Sequence, residues 1–166
     1  HMSESLTYYR EGRVGTEAVL IDAIAGGAID QWAPVILTAA GTGEDLPRVT
    51  TTTTANDPKV FGVAVSKKDS GKAADAAGEI IKVCIWGRTK VKVDGTVNIA
   101  IGDCLVTTTT AGKAGKGDYT SADNTVGNIN AAILALAAVF AVALKASTAD
   151  GDIIPCFVKG ARGTSA

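Results

Sequence analysis

Three segments of the chain recur in the same order, and this repeat constrains the possible folds more than any other feature. VFGVAV at residues 60–65 returns as VFAVAL at 139–144, and GEIIKVCIWG at 78–87 returns as GDIIPCFVKG at 151–160. APVILTAAG at 33–41 is matched more loosely by CLVTTTTAG at 104–112. The offset, about 70 to 80 residues, is much longer than the roughly 20 to 50 residues of a solenoid unit. The repeat therefore predicts two similar halves, residues 16–87 and 88–160. Gly87-Arg88-Thr89 between them has none of the Pro-rich or polar character of a linker. The halves are expected to form a single domain and share a core.

Each half reads as strand, loop, strand, loop, strand. The 166 residues include 16 Val, 13 Ile and 19 Thr against 8 Leu, and β-branched side chains suit a pleated, half-buried surface. In IIKVCIW, Ile81, Val83 and Ile85 alternate with Lys82, Cys84 and Trp86, the two-residue period of a strand with one face covered. KVKV at 90–93 alternates too and runs into Asp94-Gly95, a hairpin turn signal. Pro155 cannot donate a ladder hydrogen bond, which predicts an edge strand or a bulge there. The Ala- and Leu-rich stretch 130–138 predicts a short helix. The longer apolar run 131–144 is expected to be core, since its 14 residues fall short of the roughly 20 that cross a bilayer. The fold predicted is mainly β, a compact barrel-like or sandwich-like domain over residues 16–160. His1 and Met2 read as a cloning remnant, residues 3–15 as an N-terminal arm and 161–166 as a flexible tail.

The same residues discourage most enzymatic readings. With His1 set aside there is no imidazole, which removes the commonest general base and the commonest transition-metal ligand. The carboxylates Glu44, Asp45, Asp57, Asp69, Asp75, Asp94, Asp118 and Asp123 sit in Gly- or Ser-rich loops and read as solvated turns. Residues 112–118, GKAGKGD, lack the GK[ST] ending of a phosphate loop. Cys84, Cys104 and Cys156 are odd in number and contain no CxxC, so buried free thiols are expected in place of a disulfide framework or a zinc site. A net charge of −1 and a pI near 5.8 give no field to attract nucleic acid or an anionic membrane. No cofactor and no secretory leader are expected.

What remains is a molecule made for contact. The arm carries Leu6, Thr7, Tyr8, Tyr9 and Arg10, and Tyr and Arg are enriched at binding hot spots. Such an arm can add a strand to a partner's sheet. Trp32 at a strand entry and Trp86 on the polar side of its strand are candidate oligomer or surface contacts, or platforms for a sugar ring. Phe61 and Phe140 occupy equivalent repeat positions and read as core.

These segments together resemble the capsid cement, or head decoration, proteins of tailed bacteriophages. The resemblance runs through LTYYREGR, the DAIAGG segment at 22–27, APVIL, VFGVAV and GEIIKVCIWG. The matching positions are Tyr9, Glu11, Gly12, Arg13, Gly62, Val63, Ala64, Gly78, Glu79, Ile81 and Val83. The chain departs from the family pattern at residues 26–32, where AG-D-V is usual, and by its Ala/Leu insertion at 130–138. The resemblance implies a β-rich homotrimer, made in the host cytoplasm, that binds the major capsid protein shell on the outside of the head and stabilises it. It implies no enzymatic activity. Two other classes stay open on the residues alone: a carbohydrate-binding or adhesive surface module using Trp32 or Trp86, and a trimeric enzyme with carboxylates clustered between subunits.

Overall fold

Alternating β-branched segments separated by Gly-rich turns pair into one large sheet, and the pairing order follows the repeat. The computed structural model describes residues 18–67, 70–118 and 125–160. Eleven strands are present among them: β1 (Ala18–Ala25), β2 (Ile29–Asp30), β3 (Pro34–Thr38), β4 (Arg48–Thr50), β5 (Val60–Ala64), β6 (Lys72–Ala74), β7 (Ile80–Lys92), β8 (Cys104–Thr107), β9 (Ala114–Lys116), β10 (Ala141–Ala143) and β11 (Ile153–Val158). One helix, α1 (Val126–Ala137), lies between β9 and β10. This is the mainly β domain with a short helix that the sequence predicts.

The nine-stranded sheet has the order β1-β4-β3-β5-β7-β11-β10-β8-β9, with β1 also paired to β7. The first half is therefore a closed ring, β1-β4-β3-β5-β7, whose closing contact is the short parallel pairing of Ile24 and Ala25 with Arg48 and Val49. The second half repeats the scheme. There the ladder β7-β11-β10-β8-β9 is closed by a single parallel bridge from Val93 to Ala114. The matched segments have matched neighbours: β3 and β8 each pair with β5 and β10 respectively, and β5 and β10 pair with β7 and β11. The small β2–β6 pairing of Ile29 with Ala74 has its counterpart in the Ile99–Ser147 bridge. β7, 13 residues long, belongs to both rings. It can do so because Gly87 takes φ +99°, a conformation open to Gly at no steric cost, and its repeat partner Gly160 has φ +89°.

Buried apolar residues fall in two clusters. One fills the first ring, with Ala23, Val35, Val49, Ala64, Ile81 and Val83 among its members. The other fills the second ring around Phe140, Leu105, Val91, Ile154 and Val158, and also takes in Ile36, Val60, Val63 and Cys84 from the first half. Phe140 is 1% exposed, the largest fully buried side chain among the described residues, while Phe61 packs partly buried against the first cluster. Strict alternation in β7 breaks at Val83 and Cys84, both buried, where β1 shifts register between Val19 and Leu20. The two are covered on opposite faces of the strand, Val83 by the first cluster and Cys84 by the second.

Two expectations need correction. Pro155 is in an interior strand, between β7 and β10. Its carbonyl accepts from the Leu144 amide at 3.0 Å, so its missing N–H would have pointed the same way, past the end of the β10 ladder at Ala143 and Cys156. No β7 bond is lost. The helix starts at Val126 instead of residue 130, because the Thr125 side chain caps it by accepting from the Asn128 amide at 3.4 Å.

Candidate functional site

The arm residues Leu6, Thr7, Tyr8, Tyr9 and Arg10 lie outside the described residues, as do residues 161–166. Trp32 and Trp86 are described, and the fold sends them to different places.

Trp32 occupies a turn closed by the Ala33 amide on the Asp30 carbonyl at 3.3 Å. Its φ is +67°, at the turn position where Gly is the default. The backbone is held on both sides: its amide donates to the Ala64 carbonyl at 2.8 Å, and its carbonyl accepts from Lys92 at 2.9 Å. A bulky residue in this region costs about 1–2 kcal/mol. The conformation directs the indole into an open groove of about 400 Å³, lined also by Leu20, Val65, Thr89, Lys90 and Pro155. Lys90 Nζ lies 5.8 Å from the ring centroid, within cation–π range. The groove sits where β1, β7 and β11 meet, so both rings build it.

Trp86 is 49% exposed. Its ring meets Phe157 edge-on at 5.2 Å and 83°, a favoured aromatic geometry. Across the strand it pairs with Val19, itself 47% exposed. Trp86 does not line the Trp32 groove, so the two tryptophans do not form one platform.

Most described acidic groups are engaged by other groups of the same chain. Asp22 meets Lys82 at 2.6 Å, Asp75 meets Lys67 at 2.7 Å, Asp150 meets Lys113 at 2.8 Å, and Glu44 pairs with Arg48. Hydrogen bonding to Arg48 and to the Gly41 amide holds the Glu44 carboxyl below its ordinary range. Asp75 is lowered by Lys67, Asp150 by Lys113 and the Gly95 amide, and Asp94 by Thr110 and the Thr96 amide. The buried Asp57 accepts from the Thr52 hydroxyl and the Lys59 amide, both at 3.0 Å. Its own amide donates to Thr107 Oγ1 at 2.8 Å, and that hydroxyl donates to the Thr54 carbonyl at 2.9 Å. The threonine run 50–54 thus ends in a loop tied to β8 of the other half. Among the described residues no group of three or more His, Cys, Asp or Glu is placed to hold a metal. All three thiols are free; burial raises the Cys84 thiol and pushes Cys156 up to about 12, which leaves these two protonated and poorly nucleophilic.

The surface feature that sequence reasoning missed is the helix. The apolar run 131–144 is expected to be core, but only the part around Ala138, Val139, Phe140, Ala141 and Ala143 is buried. In α1 no residue is buried, and Ile133, Leu134 and Leu136 are 58%, 66% and 51% exposed. Further exposed apolar side chains are Ile80 and its repeat partner Ile153, and Ile101 at 73%. Among the described residues no helix is long and apolar enough to cross a membrane.

No family model matches the chain, and no curated protein does. Among solved structures the chain is similar to the head fiber gp8.5 N base of bacteriophage phi29. That likeness has 16% identity and a TM-score of 0.48, and covers 89% of this chain and 99% of the other.

Proposed function

We propose that this chain is a capsid decoration, or cement, protein: a homotrimer that binds the outer surface of a phage head, gripping the major capsid protein shell through its N-terminal arm. The observation that carries the proposal is where the chemistry is spent. The described acidic groups are largely satisfied by basic side chains and backbone amides of the same chain, whereas large apolar side chains stand exposed on the strands, on a loop and on the helix. Such a surface is suited to burial against other polypeptides. The arm and strand motifs shared with cement proteins supply the kind of partner. Several weak contacts made together by one oligomer hold far more firmly than any one of them. No bond-making activity, cofactor or nucleic acid enters this reading.

The test is co-sedimentation with empty heads. Removing residues 3–15 is expected to abolish head binding while the melting temperature changes little. Saturation of heads by the truncated protein would refute the arm's role.

A second reading has one observation in its favour, the strained Trp32 held partly exposed in an open groove of about 400 Å³. A carbohydrate-binding module predicts glycan-array signals that vanish in Trp32→Ala. A silent array removes it.

A further inference from the structure

The helix α1 is turned inside out. Asn128, Ala132 and Ala135, spaced as one helical face, are partly covered, whereas the larger side chains point away from the body of the protein. Val126, Ile129, Ile133 and Leu136 are 74%, 40%, 58% and 51% exposed. A 12-residue helix is marginal on its own in water, and a helix that shows its apolar side is normally covered. The C-terminal end runs directly into buried Ala138, Val139 and Phe140, so the exposed face is anchored to the core of the second ring.

From this we infer that α1 is the self-association element of the protein: three copies pack their helices in parallel about a common axis, with Val126, Ile129, Ile133 and Leu136 forming the seam. The residue spacing of 3, 4 and 3 places Val126 and Ile133 at a positions and Ile129 and Leu136 at d positions of a heptad. β-branched Ile at both an a and a d position moves the preference from two strands to three or more. Charge supports the choice of occupant. Around a symmetry axis each residue meets its own copies, so any charge there would face a like charge. Residues 124–144 carry none. The inference supplies the contact for the homotrimer in the proposed function, and rests on that reading only for its biological setting, since it is read without a shell.

Light scattering on the full chain in solution tests it. The wild type is expected at three times the chain mass of 16.8 kDa. The double variant Ile129→Asp, Ile133→Asp is expected at the single-chain mass, a threefold fall, with its β circular dichroism retained. Leu134→Asp, a third of a turn away from the seam, keeps the wild-type mass. A wild-type monomer or dimer, or a double variant of unchanged mass, overturns the inference. Should the double variant fail to fold, Ile133→Ser is measured on dilution: its trimer is expected to dissociate at a concentration at least tenfold higher than wild type, and an unchanged midpoint overturns the inference. A wild-type trimer that ignores heads counts against the cement reading alone.

Discussion

Replacing Gly62 with Ala puts one methyl group where β5 lies against β7 in the first ring. A Cβ at Gly62 would stand 2.2 Å from the Cys84 carbonyl oxygen, 3.0 Å from its carbon and 2.9 Å from Val83 Cγ1. The first two are backbone atoms of β7, which is paired with β5 through Val63 and Cys84. They cannot rotate away as the end of a side chain could. Relief requires β5 and β7 to separate by on the order of 1 Å, an overpacking of a kind that costs about 1–3 kcal/mol, with the upper end expected for a backbone obstacle. For a chain of this length each kcal/mol moves the melting temperature by about 2–4 °C. A fall of about 5–10 °C is therefore expected by calorimetry, with faster amide exchange at Val63 and Ala64. The repeat partner of Gly62 is Ala141, fully buried in β10, so the same ladder position accepts a methyl in the other half. A Gly62→Ala protein melting within about 1 °C of wild type would show that β5 and β7 are not held at the distance described.

Trp32→Gly and Trp32→Ala lose the same indole contacts, but only Gly relaxes the φ of +67°. The Gly variant is expected to be the more stable by about 1 kcal/mol in urea unfolding; equal stabilities would remove the strain argument. Acid destabilises the fold through its paired carboxylates. Asp94 and Asp150 are held below their ordinary value near 3.8, so their contribution is complete above that value and is lost as pH falls through the lower folded values. The melting temperature is expected to hold from pH 7 to about 5 and to drop below about 4, less steeply in Asp94→Asn. An equally steep acid limb in that variant would show that Asp94 is not a source of the loss.

Much of the fold was legible because its determinants are local. The period-two alternation of Ile81, Val83 and Val91 marks strands wherever they lie in the chain, and Gly87 and Gly160, both at positive φ, recur at repeat-matched positions. Thr125 could have extended the predicted helix to Val126, since a Thr before an apolar stretch is an N-cap signal. The contact surface was only partly legible. The exposure of Trp86 follows from its place in the strand, while the arm residues from Leu6 to Arg10 lie outside the described residues.

The sequence by itself determined the secondary structure class, the internal repeat and the poverty of catalytic groups, because these depend on residue type and on neighbours a few positions away. Tertiary structure alone decided that each half closes through a short parallel contact, Ile24 and Ala25 on Arg48 and Val49 in one and Val93 on Ala114 in the other. It also decided that Pro155 sits inside the sheet, that Trp32 is forced to a positive φ, and that an apolar helix faces outward. Each depends on which distant segments come to lie side by side. An apolar run reads the same whether it packs against its own core or waits for another chain.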